Sequence, residues 1–297
     1  MTYEVELRKR IDLFEKQIET KLGLAKETPA EKRIYEAMTY ALNAGGKRLR
    51  PILLLEIATQ YDVPYETAYP FALALEMIHT YSLIHDDLPC MDDDALRRGK
   101  PTCHIKFGEA VAVLAGDGLL NYASEIMLEA IINQEFQRCG VLAMNAILKA
   151  SGPSGMILGQ VADMTYAEQN MRHIDLDYIN HLKTGKLLTA ALVAGALLGN
   201  APKCDVEKFK KIGEDVGLMF QMVDDLLDIK GNSEKMGKET QMDQKNKKIT
   251  YPVLMGILET ETHISTLKET ILRQIEDLRL KSDFLVETVK FLSVREY

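Results

Sequence analysis

"SLIHDDLPCMDDDALRRGK" (Ser82–Lys100) ends an apolar run with five aspartates among the nine residues from Asp86 to Asp94, followed directly by Arg97 and Arg98. The periodicity upstream predicts a helix over 65–88 that stops ahead of Pro89, because proline disfavours helical backbone in the residue before it. Asp86 and Asp87 then fall in the last turn, where the helix dipole is unfavourable to anions. The loop through Cys90 and Met91 is able to return Asp92 towards Asp86. Three carboxylates at a helix mouth repel one another. They make a poor structural device and a good site for a hard cation.

Helical periodicity continues on both sides of this stretch. In "YEVELRKRIDLFEKQIETKL" (3–22) the apolar residues Val5, Leu7, Ile11, Phe14, Ile18 and Leu22 recur at helical steps and leave the charges on the other face. Further helices are predicted at 30–43, 51–60, 107–134, 140–150, 155–169, 175–183, 186–199, 205–230, 250–260 and 264–292. Alternating runs of strand length and hairpin dipeptides such as Asn-Gly are missing. "EAVAVLAGDGLLNYA" (109–123) is apolar almost all round, so it belongs inside a ring of other helices. The breaks are short except for 230–252, a polar, lysine-rich loop of a length usually reserved for function. The expectation is one all-α domain over residues 1–297.

The 297 residues are 46% hydrophobic and 27% charged, as in ordinary globular chains, and the formal charge is -8. That charge argues against a nucleic-acid binder but not against a small anionic substrate met by local lysines and arginines. The N-terminus is charged from its fourth residue, with no apolar signal region. The longest apolar stretch, "LLTAALVAGALLG" (187–199), is too short to span a bilayer, so no transmembrane segment is expected. Cys90, Cys103, Cys139 and Cys204 show no CxxC spacing, which suits free thiols in a cytoplasmic protein.

A second acidic cluster lies in "FQMVDDLLDIKG" (220–231). Asp224 and Asp228 share one helix face, with Asp225 about 100° round, on a helix otherwise made for the core. Buried carboxylates are costly unless paired or metal-bound. Magnesium takes one or two carboxylates together with waters and phosphate oxygens, so two such clusters face to face would hold a diphosphate between metal ions. "GGKRLRP" (45–51) sets Lys47 and Arg50 three residues apart after a diglycine, and His79 lies two helical turns before Asp86. Lys183 in "KTGK", Lys238 in "MGK" and Lys248 are further cations for a polyanion. Singly, each element also suits a plain role: a solvated turn, a core histidine, arginines neutralising acidic neighbours. Their conjunction and order are what point to diphosphate chemistry.

These motifs resemble those of the polyprenyl (isoprenyl) diphosphate synthases, in their bacterial farnesyl type. "GGKRLRP", "HDDLPCMDDDALRRGKPTCH", "GDGLL", "KTGKL", "FQMVDDLLD", "GK" and "TYP" fall in the family's order from about residue 28 onward. "DDLPCMD" resembles the longer bacterial and plastid form of the first aspartate-rich motif, and "DDLLD" the second. In "GKETQMD", Gln241 stands where the family often has glycine.

The resemblance implies an isoprenoid synthase fold of about a dozen helices around a central cavity, a homodimer, and Mg2+ as cofactor. Asp86, Asp92, Asp224 and Asp228 would be metal ligands, with Asp87 in the same motif and Asp225 in support. Arg97, Lys183 and Lys238 would bind the allylic diphosphate, and Lys47, Arg50, His79 and Arg98 isopentenyl diphosphate. Thr184 and Gln221 would line the region where positive charge develops. The implied reaction joins isopentenyl diphosphate to dimethylallyl and then geranyl diphosphate through a magnesium-assisted allylic carbocation, giving farnesyl diphosphate. Tyr81 and Ser82, five and four positions before Asp86, would set product length. A geranylgeranyl diphosphate synthase is the nearest rival, and a non-catalytic subunit of a heteromeric synthase a rival of another class. Such subunits typically have degraded aspartate motifs, whereas both are intact here. A class I terpene cyclase fits less well, since its second metal motif differs from "DDLLD".

Overall fold

The computed structural model describes residues 2–22, 27–133, 137–167, 173–230 and 249–294. Lys238, Gln241 and Lys248 lie outside them. Four helices open the chain: α1 (Tyr3–Leu22), α2 (Pro29–Leu42), α3 (Leu49–Gln60) and α4 (Tyr65–Asp86). After a two-residue antiparallel ladder, Leu96–Arg97 with Lys100–Pro101, come α5 (Cys103–Phe107), α6 (Glu109–Ile132), α7 (Gln137–Ser151) and α8 (Met156–Ala167). Next are α9 (His173–Asn180), a π-helical turn (His181–Gly185), α10 (Lys186–Leu198) and α11 (Lys203–Lys230). The chain continues with α12 (Tyr251–Met255), α13 (Ile257–Glu276) and α14 (Phe284–Val294). The all-α expectation is borne out.

Local chemistry accounts for several boundaries. Thr28 and Glu31 form a reciprocal capping box, with Pro29 opening α2 where its missing N–H costs nothing. Gly108 and Gly256, both at φ +88°, separate α5 from α6 and α12 from α13. The core is built where helices are apolar all round. α4 packs on α3 and α6, while α10 packs on α3, α7 and α11. α1 lies outside them, its Tyr3 ring 5.3 Å from Phe284 and 5.3 Å from Phe291 of α14.

Three expectations are corrected. The predicted α1 stripe holds for Leu7, Ile11, Phe14, Ile18 and Leu22, but Val5 is 49% exposed. The span 264–292 is two helices, α13 and α14. Side chains of α3 hold the connection between them: Gln60 accepts from the Lys281 amide at 2.6 Å, and Glu56 accepts from Ser282 at 2.5 Å. A hairpin exists despite the missing Asn-Gly: Arg98 (φ 54°) and Gly99 (φ 73°) form its turn. The expectation of no transmembrane segment is not among these: two helical stretches, Glu109–Ile132 and Gln137–Tyr166, reach membrane-spanning length and apolar composition by those measures alone. The first carries Glu109, Asp117, Glu125 and Glu129, and the second is broken by a Gly-Pro-Ser-Gly turn before α8.

Candidate active site

α4 delivers the first aspartates as its periodicity requires. Asp86 is its last residue and Asp87 its C-cap. The Asp92 amide donates to the Asp86 carbonyl at 2.8 Å, so the loop does return, with the Asp92 side chain exposed. Burial pushes the Asp86 carboxyl from 3.8 up to about 6; the Lys183 ammonium opposes this and the Asp92 carboxylate adds to it. Asp87 is buried and paired with Arg97, whose Nε and Nη2 lie 2.7 and 2.5 Å from its Oδ1. Tyr81 is 5% exposed, its ring edge-on to His85 at 5.7 Å, and its hydroxyl has no hydrogen-bond partner among the described residues. Ser82 instead donates to the His79 carbonyl at 2.8 Å.

A cationic pocket adjoins this wall. Arg50 is half-buried, and its Nε is enclosed without a hydrogen-bond partner among the described residues, which suits an anion's oxygen. Burial lowers the Arg50 guanidinium from its usual value; Glu76 and Asp224 oppose this, and Arg98 adds to it. His79 is pushed well below its usual value by burial first and then by Arg50, Arg98, Arg97 and Arg48, so its imidazole is neutral at pH 7. Arg98 reaches this pocket from the hairpin turn and donates to the Gly45 carbonyl. The guanidinium lies over Gly46, where a Cβ would stand 2.6 Å from Nη1, and Gly46 has φ +132°. The diglycine is therefore a seat for Arg98 as well as a turn.

The second aspartate cluster sits near the end of α11. Asp224 is half-buried, and Asp225 and Asp228 are buried. Asp225 accepts from the Gln221 amide at 2.8 Å and from the Tyr251 backbone N–H at 3.0 Å, which ties α11 to the start of α12. Thr184, in the π-helical turn, donates to Gln221 Oε1 at 3.1 Å. The two residues expected beside developing positive charge are thus bonded to each other, and Gln221 is in turn bonded to Asp225.

Two polar residues at the site escaped the sequence reading. On α8, the Gln160 amide donates to Asp86 Oδ1, and Asp163 Oδ2 lies 2.7 Å from Lys183 Nζ. The available signal was "GQVAD", two polar side chains three residues apart on an otherwise apolar helix. Gly159 allows the contact, since a Cβ there would lie 2.4 Å from the Lys183 amide nitrogen. A π-helical turn at this place agrees with the tendency of such turns to mark functional sites.

Among the described residues no three His, Cys, Asp or Glu side chains converge as an all-protein metal cage. Magnesium usually takes one or two carboxylates and completes its shell with waters and substrate phosphate oxygens. Asp86 with Asp92, and Asp224 with Asp228, offer hard oxygen donors beside enclosed cations, and that donor set fits such an ion.

A family profile described as polyprenyl synthetase matches residues 31–287. The chain is 41% identical over 262 residues to the farnesyl diphosphate synthase of Bacillus subtilis (strain 168), covering 88% of each chain. It is also 43% identical over 244 residues to the geranylgeranyl diphosphate synthase of Cyanophora paradoxa, covering 80% of this chain and 81% of that one. Among solved structures it resembles the geranyltransferase of Helicobacter pylori complexed with magnesium and isoprenyl diphosphate, with a TM-score of 0.81 and 30% identity, over 98% of this chain and 96% of that one.

Proposed function

The chain belongs to the polyprenyl synthetase family, and from that premise we propose that it joins isopentenyl diphosphate to dimethylallyl and then geranyl diphosphate, releasing farnesyl diphosphate. The observation that carries this is that each aspartate cluster has cations close by: Arg97 bonded to Asp87, Lys183 near enough to Asp86 to oppose its raised pKa, and Asp224 near enough to Arg50 to act on it. Asp86, Asp92, Asp224 and Asp228 would hold Mg2+, which when bound supplies Lewis acidity to the allylic diphosphate as it leaves. Arg97, Lys183 and Lys238 hold that diphosphate's charge. Lys47, Arg50, His79 and Arg98 hold the second substrate, whose double bond attacks the allylic carbon as the C–O bond breaks. Thr184 and Gln221 would line the region where positive charge develops, their oxygens offsetting it. The proton lost from the new chain goes to the departing diphosphate.

The enclosed Tyr81 ring below Asp86 supports a short, fifteen-carbon product over a longer one. Leu114, Leu128 and Ile132 of α6 are exposed apolar side chains that support a homodimer burying part of this helix. Four free cysteines fit a cytoplasmic enzyme. Asp86→Ala and Asp224→Ala test the reading. Each should lower magnesium-dependent turnover by about a thousandfold or more, with circular dichroism unchanged, because a term stabilising developing charge is removed. Near-normal turnover in either variant contradicts a site shared by the two clusters.

A further inference from the structure

Arg48 is the one cation of the "GGKRLRP" turn to which the reaction gives no task. It lies between Lys47 and Arg50 yet is only 3% exposed, with a left-handed backbone at φ 47° that side chains other than glycine adopt at a cost. Its guanidinium engages three partners on three other helices. Nε donates to Glu15 of α1 at 3.0 Å, Nη1 to Glu76 of α4 at 2.6 Å, and Nη2 to the Leu42 carbonyl ending α2 at 2.5 Å. With its own place as N-cap of α3, Arg48 joins all four N-terminal helices at the root of the cationic pocket.

Stability alone is a weak reason for such a group, because a buried ion pair roughly cancels its own desolvation cost. Position is a better one. Three fixed donors leave the peptide linking Lys47 to Arg50 little freedom, and a planar fork holds them where a lysine would reach one acceptor at a time. Glu76 stands one helical turn before His79 on α4, so the same ion pair sets Arg50 against the imidazole.

On the reading that Lys47, Arg50 and His79 hold isopentenyl diphosphate, the geometry points to Arg48 as the positioning residue of that subsite, anchored by Glu76 and by Glu15. The N-terminal helix, which bears no ligand of its own, thereby becomes part of the second-substrate site. Glu15 keeps 34% of its side chain exposed, so it can be altered with little risk to folding.

The test uses the full-length enzyme with magnesium, varying geranyl and isopentenyl diphosphate separately. Arg48→Lys should raise KM for isopentenyl diphosphate about tenfold, and Glu15→Ala about threefold, as expected when charge-assisted contacts are misplaced by a fraction of an ångström. KM for geranyl diphosphate and kcat at saturation should stay within about twofold, since the allylic site has its own anchors on α8. Equal movement of both KM values, or a lowered Tm with both KM values unchanged, makes Arg48 merely structural and overturns the inference. If Arg48→Lys does not fold, the same split in Glu15→Ala decides. A wild-type enzyme that forms no prenyl product overturns the functional reading and this inference together.

Discussion

Gly159→Ala adds one methyl group where α8 meets the π-helical turn. The new Cβ would stand 2.4 Å from the Lys183 nitrogen, 2.7 Å from its Cα and 2.9 Å from the Leu182 carbonyl carbon. All three are backbone atoms, so no side chain can swing aside, and normal contact requires a separation of about 1 Å more. Overpacking of this kind costs about 1–3 kcal/mol, and replacing glycine within a helix returns about 1 kcal/mol. The net effect on Tm is a fall of a few degrees at most. Activity should suffer far more. The displaced elements carry Lys183 with its partner Asp163, and Gln160 with its partner Asp86. A misplacement of about 1 Å at reacting groups costs on the order of a hundredfold, so kcat/KM for the allylic substrate should fall by about that factor. Gly118→Ala on α6 is the control: its Cβ meets only the flexible Met38 Sδ at 3.1 Å, and turnover should stay within about twofold of wild type. Steady-state kinetics with thermal melts reads both variants. A Gly159→Ala enzyme within threefold of wild type would refute the claim that α8 sets the position of Lys183.

Two further outcomes follow from the first aspartate wall. Tyr81→Ala should lengthen the main product from fifteen carbons to twenty or more by chromatography of the dephosphorylated alcohols. An active variant that still stops at fifteen removes Tyr81 as the floor. Asp86 titrates at about 6 in the folded chain against 3.8 ordinarily, so the folded state binds the extra proton between those values. Its protonated form therefore favours folding at low pH, and stability is lost as pH rises through 6, by on the order of 2 kcal/mol. Without metal, Asp86→Asn should melt above wild type at pH 7.5 and level with it near pH 4, and a constant difference across that range would contradict the burial argument.

The fold was legible wherever one helix face decides burial. The stripe from Leu7 to Leu22 and the all-round apolarity of α10 needed no partner to be recognised. Features held by tertiary contacts were not. The turn at Arg98 and Gly99 has no Asn-Gly signal, because its left-handed arginine is kept in place by the distant Gly45 carbonyl. The bend between α13 and α14 lacks glycine and proline, and is fixed instead by Gln60 and Glu56 of α3. The aspartate clusters were legible because repulsion among like charges demands a cation. Gln160 and Asp163 were not, since their meaning depends on Asp86 and Lys183 arriving from other helices. Arg48 was visible only as one more charge in a basic turn; its partners are 33 and 28 residues away in sequence.

The central claim is a magnesium-dependent condensation that stops at fifteen carbons. Incubating the purified protein with Mg2+, dimethylallyl diphosphate and isopentenyl diphosphate, then chromatographing the products, addresses it directly. The account predicts farnesyl diphosphate as the main product, with geranyl diphosphate as a transient and nothing formed when the metal is chelated. A twenty-carbon main product would contradict the assignment of Tyr81 as the floor, and the absence of any prenyl product with metal and both substrates present would contradict the function itself.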